Sequence, residues 1–263
     1  VRFQSHLVDD VGNYLITDQA ASMADIDPRE LALPATAADK TYDGNRDAAV
    51  TCYGLSGFVG SETVTASSTS ALFDTKDAGT GKTVTISGIT LADGDNGGRG
   101  SNYTVAASTT ATAPILQKAM TISGITASDK TYDGNTDAAV STSGALYTGL
   151  VAGDSVTVSA TGQFEDKNAG KDKTVFLSSS YLGADVGNYL ITDQATATAD
   201  IDPRELALAA TAADKTYDGN RDAAVTGYGL SGCVGSETVN ASNTPALFDT
   251  KEPGNRKTEN ARA

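Results

Sequence analysis

The chain has 263 residues, and its 33 acidic and 19 basic side chains leave a formal charge of −14. That balance repels polyanions, so nucleic acid and anionic membrane surfaces are poor partners. No run of about 18 apolar residues is present to span a bilayer, and 27 Gly with no Trp suit several small β domains better than one large enzyme core.

Residues 1–26 match only the tail of a unit that recurs downstream. They hold the landmark pair Asn13-Tyr14 and the single His, His6. One His gives a Ser-His-Asp triad or a His-ligated metal site nothing to build on. The opening Val-Arg-Phe-Gln-Ser-His shows neither an initiator Met nor a signal peptide, so the expectation is a fragment of a longer array.

Repeat 1 occupies 27–116. Asp39-Lys-Thr-Tyr-Asp-Gly-Asn45 recurs from Asp129 and from Asp214. Asp-Gly is a turn dipeptide, in which Asp bonds its own backbone and Gly accepts positive φ. The Tyr ring suits the edge of a packed core, with its hydroxyl partnered. The motif is therefore read first as a structural corner. The competing reading is a sugar site, with Tyr42, Tyr132 and Tyr217 stacking and Asp43, Asp133 and Asp218 accepting hydroxyls. Three such copies on one chain give avidity.

Farther along, Phe73 opens Phe-Asp-Thr-Lys-Asp-Ala-Gly, a polar hairpin that feeds the alternating strand of Val84 and Ile86. An inserted loop follows at 92–101. Asp93 and Asp95 begin it like a calcium loop, but Gly97 and Thr104 stand where an EF-hand needs Asp or Asn and then Glu. These two Asp are calcium candidates against a plain mobile loop, and no other cofactor is expected. Asn102-Tyr103 then starts the last strand with a buried Tyr.

Repeat 2, 117–201, lacks the insertion. Val156, Val158 and Ala160 alternate with Ser155, Thr157 and Ser159, and Ala195, Ala197, Ala199 and Ile201 share a face. Period two reads as half-buried antiparallel strands. Phe164 and Asn188-Tyr189 repeat the landmarks. Repeat 3, 202–263, matches only the front of a repeat: Phe248 opens its hairpin, the sequence leaves the pattern after Lys257, and the Asn-Tyr strand is lacking. Asp202, Pro203 and Glu205 resemble a helix start. The equivalent stretch of repeat 2 alternates, however, so a strand is expected here too.

Tyr42 to Tyr132 is 90 residues and Tyr132 to Tyr217 is 85. A shift of 175 lays residues 10–76 on 185–251 with nine differences in 67 positions. The duplicated unit was thus a pair of domains. The comparison with the diverged repeat 2 is the informative one. Cys52 and Cys233 occupy non-equivalent positions, opposite Gly227 and Phe58, so neither a recurring disulfide nor a zinc site is expected.

Lys-Thr-Tyr-Asp-Gly-Asn, Gly-Asp-Ser-Val at 153–156, Phe-x-x-Lys-x-Ala-Gly-x-x-Lys-Thr-Val and Gly-Asn-Tyr together resemble the YDG domain of bacterial surface proteins. Residues 118–201 carry all four. Repeat 1 departs with Gly-Ser-Glu-Thr-Val at 60–64. Such domains occur in tandem in very large secreted proteins, including filamentous-haemagglutinin-like adhesins exported by a dedicated outer-membrane partner. The resemblance implies an extracellular, surface-associated, non-enzymatic region and brings no catalytic residues.

The expected fold is all-β: tandem small β-sandwich domains of immunoglobulin-like size, about five to seven strands each, in an elongated array. The expected function is a stalk or adhesive segment whose partners are its neighbouring repeats. The alternative is a carbohydrate- or mucin-binding module, with a host glycan or matrix protein as partner.

Overall fold

The computed structural model describes residues 23–240 and 246–254, and the backbone of 259–261. The Asn13-Tyr14 pair and His6 lie outside the described residues. Those that are described form strands, turns and two 3-10 turns, with no α-helix among them. Among the described residues no helix is long and apolar enough to cross a membrane. Contacts divide the chain into two units, Val1–Lys118 with Gly187–Leu190, and Ala119–Val186 with Ile191–Ala263.

In the first unit a four-stranded sheet runs Lys40–Thr41, Ser108–Leu116, Gly79–Ser87, Ser70–Phe73. Its alternating residues set the register: Val84 lies opposite Phe73 on one side and Ala111 on the other. Phe73, Val84 and Ile86 are wholly buried, joined by Ala113 and Ile115. A second cluster forms where Arg29–Glu30 pairs in parallel with Tyr103–Thr104. There Leu31, Val64 and Tyr103 are buried, with Phe58 and Leu91 packed against them.

The second unit carries a five-stranded sheet in the order Lys130–Thr131, Thr196–Asp202, Gly170–Leu182, Thr157–Phe164, Asp137–Ala138. Phe164, Val175, Ala199 and Ile201 are its buried core. Ala207–Ala212 pairs with Val225–Ser231 as a separate antiparallel ladder.

The long hairpin differs between the repeats. In repeat 2 its eight paired positions run unbroken from Thr157–Leu182 to Phe164–Val175. In repeat 1 it divides into Val64–Ser67 with Thr90–Asp93 and Ser70–Phe73 with Gly79–Ser87. Gly88 sits at the break with φ +65, and a Cβ there would lie 2.0 Å from the Thr69 hydroxyl. The break exchanges the faces of the strand, as a one-residue slip does. Val64 and Phe73, nine positions apart, are thereby both buried.

The alternations at Val84 and Ile86 and at Val156 and Val158 point inward as expected. Ala195 does not join Ala197, Ala199 and Ile201, because the strand begins at Thr196 and Ala195 is exposed. The Leu-rich segment of repeat 3 is a strand from Ala207. Two expectations need correction. Asn-Tyr does not open the last strand of its repeat: the chain leaves the ladder after Thr104 and after Thr192, and a further strand follows each time. Each full repeat also breaks into more strand segments than the sequence rhythm implies, because turns and a kink interrupt runs that read as continuous.

Candidate functional site

Lys40 is the hub of the first Tyr-Asp-Gly-Asn loop. Its ammonium pairs with Asp43 at 2.8 Å and donates to the Asn45 side-chain oxygen at 2.8 Å. It also donates to the carbonyls of Asn45 at 3.2 Å and Asp47 at 3.0 Å. The Asp43 carboxylate accepts the Asn45 N–H at 3.1 Å, and the Asn45 side chain accepts the Asp47 N–H at 2.8 Å. Two successive side-chain-to-backbone turns thus curl the chain around one cation. Gly44 takes φ 83, the left-handed region open to glycine.

Lys130 repeats these contacts with Asp133, Asn135 and Asp137, and Lys215 repeats them with Asp218, Asn220 and Asp222. Beneath the cation lies the landmark aromatic. Lys40 sits 5.9 Å from the Phe73 centroid and Lys130 5.5 Å from that of Phe164, within cation–π range. The hydrogen bonds from Lys130 and Lys215 hold the Asp133 and Asp218 carboxyls below the usual range. Burial pushes Asp43 upward, but Lys40 and the Asn45 amide outweigh it, and this carboxyl is lowered too.

The three Tyr differ. Tyr42 is 1 % exposed. Its hydroxyl accepts from the Lys76 ammonium at 2.8 Å, and its ring meets Tyr189 edge to face with centroids 5.6 Å apart. Beside it the Ala78 N–H donates to Asn188 Oδ1 at 2.9 Å. Tyr132 is half-buried and donates its hydroxyl to Glu237, which also pairs with Lys167. Tyr217 is 56 % exposed. Lys76 and Lys167 are the same position of the Phe-x-x-Lys hairpin. The second Lys of that hairpin clasps its turn: Lys82 reaches Asp74 at 3.2 Å, and Lys173 reaches Asp166 at 2.9 Å.

A family model, YDG domain, matches residues 27–112, 116–198 and 202–261. The chain belongs to the YDG domain family. No curated protein and no solved structure matches it.

The name-giving Tyr-Asp-Gly of each YDG repeat is therefore a turn closed by the preceding Lys. Its Asp is spent on that Lys and on the turn. The competing sugar-site reading groups Tyr and Asp, whereas the structure gives them different partners. Sequence reasoning overlooked Lys40, Lys130 and Lys215, although the Lys recurs in every copy two residues before the Tyr. It also overlooked Lys76 and Asn188 as partners of the Tyr42 environment. Both belong to landmarks that were visible, but their meeting is a long-range contact that no spacing reveals.

The inserted loop of the first YDG repeat is fastened rather than loose. Asp95 and Thr63 exchange main-chain and side-chain hydrogen bonds, and Asn96 donates to the Ser61 carbonyl at 2.9 Å. A Cβ on Gly94 or Gly98 would collide with the Thr63 carbonyl at 2.4 or 2.0 Å. Asp93 accepts the Gly100 N–H at 2.8 Å, whereas Asp95 is held through its main chain. No group of three His, Cys, Asp or Glu poised for a metal occurs among the described residues. Cys52 and Cys233 are both free thiols.

Proposed function

We propose that this chain is a non-enzymatic stalk segment of a large secreted bacterial surface adhesin. Its YDG repeats are small immunoglobulin-like β sandwiches set in an elongated array. The observation that supports this reading is the use made of the motif Tyr. Tyr42 is buried against Tyr189, a residue of the next repeat, with its hydroxyl taken by Lys76. A ring used in this way joins successive repeats and leaves no face on which a sugar can stack. The acidic surface keeps a long array soluble.

Antibodies raised against this chain are expected to label intact cells of the source bacterium without permeabilisation. The purified chain is expected to show no saturable binding to a panel of glycans, mucin and matrix proteins, with or without calcium. Labelling that requires permeabilisation overturns the surface location. Saturable glycan binding abolished by Tyr217→Ala replaces the stalk with a carbohydrate- or mucin-binding module.

A further inference from the structure

The chain has 33 acidic and 19 basic side chains, yet the outer face of its five-stranded sheet is without charge along the long strands. In the hairpin of Thr157–Phe164 with Gly170–Leu182, Val158, Phe164 and Val175 are buried. Period two turns their neighbours outward. The outward pairs run from Thr157–Leu182 to Gln163–Phe176, and every residue among them is Ser, Thr, Gln, Leu or Phe. On the far side of the middle strand, Phe176 lies opposite Thr196 and Thr174 opposite Thr198. The first charges, Lys171 and Asp200, stand at the end of the face and pair with each other at 2.8 Å. Phe176 is 56 % exposed and Leu182 69 %.

Hydroxyls of this face are already partnered within it. Ser159 and Ser180 bond each other at 2.8 Å, and Thr157 donates to the Leu182 carbonyl at 3.2 Å. Covering the face therefore orphans few polar groups, and the surface to be covered is methyl, methylene and aromatic. A sugar, which binds through free donors and acceptors, gains little there. A flat and neutral methyl-bearing surface gains more. The four-stranded sheet of the first repeat has an outer face of the same kind. Thr83 and Thr85 lie opposite Thr112 and Thr110, and Leu72 lies opposite Thr85, with no charge among them. Thr85 and Phe176 are equivalent positions, so the residues differ between the repeats while the neutrality does not.

We propose that the neutral face of the five-stranded sheet is the surface through which two copies of the chain associate, sheet against sheet. Its partner has to be flat, uncharged and able to approach a chain of formal charge −14. The same face of a second copy meets those terms. Charged surfaces of two such chains repel each other, which confines their contact to faces without charge. Pairing the face with itself is two-fold and closes as a dimer. The two sheets then lie about 10 Å apart with their strands within about 30° of one another, and Phe176 and Leu182 lose their exposure to water. Strand rise and spacing give the patch roughly 27 Å by 14 Å, or about 400 Å² per copy. Stable pairs bury about 800 Å² per partner, so one face makes a weak contact. Several such faces on one chain strengthen it by avidity. This association does not depend on the stalk reading.

The test is sedimentation equilibrium of the full chain up to about 1 mM, with reductant to keep the Cys52 and Cys233 thiols free. It is run at about 0.05 M and about 1 M sodium chloride. A monomer–dimer equilibrium is expected, tighter on the order of tenfold at the higher salt, because screening removes repulsion and leaves the neutral contact in place. Phe176→Lys and Thr161→Lys are each expected to abolish the dimer, although each makes the net charge less negative. Both positions are exposed, so the circular dichroism and unfolding midpoint of the variants are expected to match those of the unmodified chain. A chain that stays monomeric at both salts overturns the proposal. So does a dimer that loosens with salt, or one that survives both Lys variants. A monomeric chain that binds the neutral glucan laminarin, and loses it with Phe176→Lys, gives the face to a sugar and overturns the second copy as occupant.

Discussion

Tyr42 and Tyr189 meet edge to face, with their planes 77° apart and both rings buried. One belongs to the Tyr-Asp-Gly motif of the first repeat and the other to the Gly-Asn-Tyr of the second. Emptying this contact creates a cavity. Tyr42→Ala is expected to cost about 3–5 kcal/mol. Tyr42→Phe keeps the ring and loses the hydroxyl's hydrogen bonding, that with Lys76 included, at about 1 kcal/mol per bond. Denaturant unfolding of the two variants checks the ranking, and equal losses would contradict it.

The motif Lys is expected to matter more than the motif Asp. The three N–H groups of Lys130 are shared among two carbonyls and two side-chain oxygens, whereas each Asp can be partly replaced by water. Lys130→Met is expected to cost about 1–3 kcal/mol. Lys130→Arg is expected to restore little, because a planar guanidinium cannot converge on the acceptors as a compact ammonium does. The thermal midpoints of the two variants test this.

Gly88 tolerates neither a side chain nor a change of hand. Gly88→Ala forces a Cβ-bearing residue to φ +65 against the Thr69 hydroxyl. The expected loss is about 1–3 kcal/mol. Ser179→Ala, at the equivalent position of the unbroken hairpin of repeat 2, is expected to be far milder. Unfolding midpoints of the two variants give the comparison.

Acid should loosen the loops in a defined window. Asp133 and Asp218 are held below the usual carboxylate range by hydrogen bonds from Lys130 and Lys215. A carboxyl that resists protonation more when folded than when unfolded stabilises the fold above its unfolded value. That contribution disappears as the pH falls through the lower folded value. The melting temperature is expected to hold from neutral pH down to about 5 and to decline below about 4. Lys130→Met should flatten the decline, and a decline already under way at neutral pH would contradict the assignment.

Much of this architecture was legible from the residues alone. Period-two alternation placed Val84, Ile86, Val156 and Val158 on buried faces, and Asp-Gly marked the turns with their positive-φ Gly. The Leu-rich segment of repeat 3 was assigned to a strand against its own helix-start signal, because repeat 2 alternates there. Three things were not legible. The face exchange at Gly88 depends on a kink in one repeat that its neighbour lacks. The clustering of four acceptors on Lys40 depends on loop curvature. The meeting of Tyr42 with Tyr189 depends on tertiary packing, which leaves no periodic trace in sequence.

The lysine-centred loop has a kinetic consequence. Every acceptor of the Lys40 ammonium lies between Asp43 and Asp47, so the side-chain bonds that close the loop form without any distant part of the chain. Closures of this length take on the order of 10–100 ns. Each repeat can thus fix its first turn as that stretch emerges from a ribosome. Slower long-range sheet pairing then starts from a chain already folded back on itself, at a lower entropic barrier than a free coil would face.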